Sequence, residues 1–162
     1  MTTENSNTLT IIRIFDASPE LMFKAWTQPE HIMHWWGPKG FTTPFCEVDL
    51  RIGGTLRYCM RSPDGKDFWG KSIFQEIVEP THLAMKDVFT DEKGNPVPAS
   101  HYGMSADWPA ESQISVTFTA QDGKTKLTLE HSGIITAGEE RDMCEAGWNG
   151  SFERLTDFLK NL

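Results

Sequence analysis

The chain has 162 residues, of which 38% are hydrophobic and 23% charged, and 15 Lys and Arg against 23 Asp and Glu leave a formal charge of −8. That balance excludes the clustered basic face used by nucleic-acid binders and disfavours docking on anionic membranes. A length of this order suits one domain, here expected over residues 1–162, whose core needs neither disulfide nor metal. Met1–Thr8 lacks the basic and apolar regions of a secretory signal, and no window approaches the ~20 apolar residues of a membrane span. Cys46, Cys59 and Cys144 are odd in number and widely spaced, which predicts free thiols in a reducing compartment, the cytoplasm. Ten Phe, six Trp and two Tyr imply either a bulky core or the walls of a cavity.

In chain order, the β-branched run Leu9–Phe15 predicts a first strand. Ser18 then reads as an N-cap with Pro19 at the first helical position, opening a helix that carries Leu21, Met22, Ala25 and Trp26 on one side. Gln28-Pro29-Glu30 breaks it and starts a short second helix through His31 to Trp35, stopped by Gly37-Pro38-Lys39-Gly40. Strands follow at Phe41–Leu50, Thr55–Arg61, Phe68–Val78 and His82–Phe89, with turns at Gly53-Gly54, Pro63-Asp64-Gly65-Lys66 and Glu79-Pro80. Alternation places Leu56, Tyr58 and Met60 on one face, and Arg57, Cys59 and Arg61 on the other. Thr90–Glu111 is irregular and reads either as a lid or as a packed surface loop. Ile114–Thr119 and Lys126–His131 form a hairpin, and a helix from about Gly138 to Leu159 carries Met143, Trp148, Phe152, Leu155 and Leu159. The fold class is therefore α+β, a curved antiparallel sheet closed by its last helix, with an apolar cavity expected between them.

Several segments resemble one known family. They are Pro29-Glu30-His31-Ile32-Met33-His34-Trp35-Trp36-Gly37-Pro38, Asp49-Leu50-Arg51-Ile52-Gly53-Gly54, Pro63-Asp64-Gly65, Gly70, Glu79-Pro80-Thr81-His82-Leu83, and Gly147-Trp148 through Leu155. In order and spacing they resemble the Aha1-like (activator of Hsp90 ATPase homologue) branch of the START/Bet v 1-like, or SRPBCC, superfamily. That resemblance implies a helix-grip fold with a hydrophobic cavity. It also implies relatives as varied as lipid and hormone carriers, polyketide cyclases and a co-chaperone of Hsp90. Fold does not choose among such functions.

The residues narrow the choice to a binding module ahead of an enzyme. Strand parity and helical spacing put Trp69, Met85, Phe89, Phe118, Trp148 and Phe152 around an apolar ligand, with Tyr58, His101 and Trp108 orienting it by hydrogen bonds. The expected partner is a hydrophobic small molecule, with a chaperone or a second copy as further candidates, and no cofactor is expected. A cyclase or hydrolase using the same cavity would need Asp87, His101, Glu130 or His131 as a base. His31 and His34 share a spacing that could hold a metal, but no third ligand accompanies them. Arg51-Ile52-Gly53-Gly54 lies between strands, so it reads as a turn with Arg51 paired to Asp49 and not as a phosphate loop. No Cys-x-x-Cys pair and no nucleophile-elbow motif is present.

Overall fold

The computed structural model describes residues 7–162, so most of the opening segment read above as lacking a signal lies outside the described residues. The elements run β1 (Thr8–Phe15), α1 (Pro19–Thr27), α2 (Pro29–Trp35), β2 (Thr42–Val48), β3 (Thr55–Arg61), β4 (Asp67–Val78) and β5 (His82–Thr90). A short 3₁₀ turn (Ala99–Tyr102) is followed by β6 (Glu111–Gln121), β7 (Lys124–Ser132) and α3 (Glu139–Leu159). The strands form one antiparallel sheet in the order β1-β7-β6-β5-β4-β3-β2. This is the expected α+β helix-grip architecture. No helix among the described residues is long and apolar enough to cross a membrane.

Local chemistry fixes the element ends. The Ser18 hydroxyl accepts the Leu21 N–H at 3.2 Å, with Pro19 opening α1 where its missing N–H costs nothing. Asp122 and Gly123 take φ values of 51° and 80°, the left-handed pair that turns β6 tightly into β7. Arg51 Nε donates to Asp49 at 2.7 Å in the β2–β3 turn, as its sequence implies. Both side chains are exposed, so the pair shapes the turn more than it stabilises the fold.

The interior forms where α1, α2 and α3 cover one face of the sheet. Trp26, fully buried, stacks on Trp148 with ring centroids 6.1 Å apart and touches Phe118 at 6.1 Å and Phe152 at 6.3 Å. Phe15 meets Phe152 edge-on at 5.7 Å. These rings occupy the centre of the space between sheet and α3, so the composition signal is answered there by a bulky core.

One expected position is corrected on α3. Met143 is 65% exposed, while Arg141 is buried. Two residues correspond to about 200° around a helix, so Met143 and Arg141 face opposite ways. The C-terminal half of α3 is tied down by Arg154, which donates to the carbonyl oxygens of Trp36 (2.9 Å), Gly37 (3.0 Å) and His34 (3.2 Å). A Cβ at Gly150 would lie 2.7 Å from the Lys39 nitrogen, so glycine permits this close approach.

Candidate functional site beneath the N-terminal half of α3

The covered face of the sheet changes character along its strands. Leu83, Val116 and Leu129 are buried and apolar; in the next rows lie Phe74, Met85, Ile114 and His131, then Ser72, Asp87 and Ser112. Asp87 and Ser112 are direct cross-strand partners, and His131 sits opposite Ile114. Alternation brings these polar groups inward: Gly70, Ser72 and Phe74 share a face on β4, as do Met85, Asp87 and Phe89 on β5.

Asp87 accepts two hydrogen bonds on one oxygen, Oδ1: from the Tyr58 hydroxyl at 3.0 Å and the Ser72 hydroxyl at 3.1 Å. Its other oxygen accepts none among the described residues. Burial pushes the Asp87 carboxyl up to about 6, against the opposing effect of the Tyr58 and Ser72 hydrogen bonds. Burial first, then the Asp87 charge, raises the Tyr58 phenol well above its ordinary value. Gly70 makes room for that phenol, since a Cβ there would lie 2.5 Å from Tyr58 Cζ.

His131 completes the polar end. Its Nε2 meets the Ser112 hydroxyl at 2.7 Å, and its Nδ1 accepts the Trp148 indole N–H at 3.1 Å. An accepting Nδ1 places the proton of the neutral ring on Nε2. Burial lowers the His131 pKa to about 4, so the ring is neutral at pH 7. Cys144 Sγ lies 3.6 Å from the same Nδ1. Burial, and after it the Asp87 charge, pushes that thiol up to about 12. Such a thiol is not a nucleophile at neutral pH.

The polar end also keeps accessible surface. Asp87, Phe89 and Ser112 on the sheet and Cys144 and Trp148 on α3 are half-buried, whereas the apolar rows behind them are closed. The loop between β5 and β6 roofs this end as a packed structure. Met104 packs on the core and Trp108 is buried within it; the Glu140 carboxylate accepts the Ser105 N–H at 2.8 Å and hydroxyl at 2.6 Å. Tyr102 donates to the Thr90 carbonyl and accepts the Trp69 N–H at 3.2 Å.

The residues expected around a ligand are thus distributed unevenly. Tyr58, Met85, Phe89, Phe118, Trp148 and Phe152 face the interior, with Phe118 and Phe152 inside the aromatic core. Trp69 does not join them: it pairs with Cys59 and Thr90 on the opposite face and packs on Phe45 at 5.4 Å. It is one residue out of step with Gly70, and a single step reverses the face of a strand residue. His101 is exposed on the 3₁₀ turn beside Tyr102, and Glu130 is exposed. His31 and His34 pack against Phe158 at 5.3 and 4.9 Å, and no group of three or more metal-ligating side chains occurs among the described residues.

Sequence reasoning missed Ser72 and Ser112. Ser72 was readable from its parity with Phe74. Ser112 is the second residue of β6, ahead of the apolar run that signalled the strand. Two open surface clefts lie apart from Asp87. One of about 420 Å³ is at the β2–β3 edge, between Pro29, Cys46 and Arg57. One of about 370 Å³ is between Asp107, Pro109 and the Gly133–Thr136 connection. Neither brings together the chemistry found at Asp87 and His131.

Solved structures share this architecture. A protein from Nitrosomonas europaea is 21% identical with a TM-score of 0.78, covering 99% of this chain and 97% of its own. One from Mycobacterium smegmatis is 27% identical with a TM-score of 0.72, covering 94% and 88%. The AHSA1 protein from Silicibacter pomeroyi is 21% identical with a TM-score of 0.71, covering 94% and 97%. No curated protein matches the chain. The family described as "Activator of Hsp90 ATPase homolog 1-like protein" matches over residues 16–160, and with nearly the whole sequence inside that match the chain belongs to this family.

Proposed function

We propose that the protein holds a small, largely hydrophobic molecule between the sheet and α3, with the molecule's polar group at Asp87. One observation carries this reading: an otherwise apolar face ends in a half-buried carboxyl whose second oxygen has no partner among the described residues, beside a neutral histidine. Apolar contact at about 25 cal/mol per Å² would supply most of the affinity, and the few polar atoms would set orientation. Three free thiols fit a reducing compartment, and cytoplasm is the proposed location.

The test is native mass spectrometry of freshly purified, unheated protein against its denatured mass, followed by titration of the tryptophan fluorescence with apolar compounds. A stoichiometric excess mass that disappears on denaturation supports the reading. A clean mass together with no response to any apolar compound removes it.

A second reading is a proton-transfer enzyme of the cyclase or hydrolase type at the same place. It is favoured by Asp87 and His131, which burial moves in opposite directions along the pH scale. Turnover that survives replacement of both residues would end it. The family description also names a chaperone activator, and co-purification with an Hsp90-type chaperone tests that role.

A further inference from the structure

We propose that the ligand of this site is an amine, its protonated nitrogen paired with Asp87 Oδ2 and its carbon skeleton laid against the surrounding aromatic side chains. The proposal rests on the binding reading above and adds the ligand's charge. Its first ground is an uncompensated carboxyl. Asp87 is held by two neutral hydroxyls at the polar end of an otherwise apolar face and makes no ion pair among the described residues. Arg141, the buried cation of α3, donates instead to the carbonyl oxygens of Ile135 and Thr8. A half-buried carboxylate with no counter-charge is only partly hydrated, so a cation beside it is favoured and the site rewards a positively charged guest.

The second ground is the wall. Tyr58, which holds Asp87, lies 5.4 Å from the Trp36 ring, and Trp36 lies 5.8 Å from Trp148. Phe89 follows Asp87 by two residues on the same face. Aromatic side chains near a carboxylate are a common setting for ammonium groups, which are attracted to ring faces. His131 does not oppose this, because it is neutral at pH 7 and both of its nitrogens are engaged. A net charge of −8 further raises the local concentration of cations.

The experiment compares three probes with one skeleton, phenylbutylamine, phenylbutanol and phenylbutyrate, by NMR of the tryptophan indole N–H groups near pH 7.5. The amine is expected to bind about tenfold tighter than the alcohol, the worth of one hydrogen bond to a charged group. The carboxylate is expected to bind weakest. Asp87→Asn, which keeps an acceptor for Tyr58 and Ser72 but turns a donor toward the guest, should abolish the amine's advantage over the alcohol while alcohol binding persists. Equal binding of the amine and the alcohol to the natural chain, or a preference for the carboxylate, overturns the amine and leaves the binding reading intact. Binding of none of the three overturns both.

A variant-free check uses pH. The titratable groups facing Asp87 are the Tyr58 hydroxyl from β3 and the Cys144 thiol from α3, with His131 of β7 and the charges of Arg141 and Glu145 around that thiol. Tyr58 and Cys144 stay protonated and His131 stays neutral between about pH 5 and 7.5, so Asp87 alone changes charge there. Amine binding should weaken severalfold on acidification across that range and alcohol binding should not. Unchanged amine binding overturns the proposal.

Discussion

Beneath the C-terminal half of α3 the sheet and helices meet through Trp26, Phe118 and Phe152 in ring-to-ring contact. Beneath its N-terminal half the sheet presents Asp87, Ser112 and His131, joined to their neighbours by hydrogen bonds. The first region gains from every buried ring and asks nothing of solvent or ligand. The second gives up stability to a half-buried carboxyl and to an imidazole held neutral. Regions that lower stability without an evident structural return are where function is expected. Truncation should therefore hurt the first region most, and the second should reveal itself through pH and ligands.

The largest effect should come from Phe152→Ala, which empties a fully buried aromatic position contacting Phe15, Trp26 and Trp148. Denaturant unfolding should register a loss of about 3–5 kcal/mol. A loss below about 1 kcal/mol would mean that the aromatic region is not the mainstay of the fold. Next comes Gly70→Ala, whose new methyl must displace the Tyr58 ring and with it the bond to Asp87. We expect a cost of about 1–3 kcal/mol. Unlike Phe152→Ala, it should also change ligand response.

The third contrast is one of sign. Asp87 is raised to about 6 in the fold, so its contribution is present below its unfolded pKa and is lost as pH rises from about 4 through 6. His131 is lowered to about 4, so its contribution is present above its unfolded value and is lost as pH falls from about 6.5 toward 4. The two slopes oppose each other over nearly the same window. In the natural chain they should largely cancel. Asp87→Asn should expose a stability loss on acidification on the order of 2 kcal/mol, measured by thermal unfolding at several pH values. An unchanged profile would contradict the buried setting of Asp87.

The smallest effect should come from Glu140→Gln. The Ser105 hydrogen bonds hold this exposed carboxyl below its ordinary range, and its removal loosens only the roof. Hydrogen exchange should quicken at residues 103–108 without a shift in unfolding temperature. Equal protection in both proteins would show that Met104 and Trp108 alone hold the loop.

Much of this architecture was legible in sequence because its signals are local. Ser18-Pro19 announces a helix start, Asp122-Gly123 a tight hairpin, and the period-two pattern of Thr55–Arg61 the two faces of a strand. The site was harder to read because its parts are local nowhere. Asp87 meets Tyr58 from 29 residues away and His131 meets Trp148 from 17, through registers that no single segment encodes. Trp69 illustrates the hazard: strand parity read from the sequence put it on the inner wall, yet the observed register gives the inner position to Gly70 beside it. An aromatic residue on the outer face finds its own partner in Phe45, so bulk alone does not reveal which side is covered.

The clamp made by Arg154 has a mechanical meaning. Three carbonyl oxygens at the end of α2 hold one guanidinium, and Gly150 brings the α3 backbone against Lys39 just ahead of it. That end of α3 is a fulcrum. If the interior takes a molecule as proposed, the opposite arm, bearing Glu140, Cys144 and Trp148, is the one left to yield, against the hold of Arg141 on the Ile135 and Thr8 carbonyl oxygens. The helix would then act as a lever, braced firmly at one end and lightly at the other.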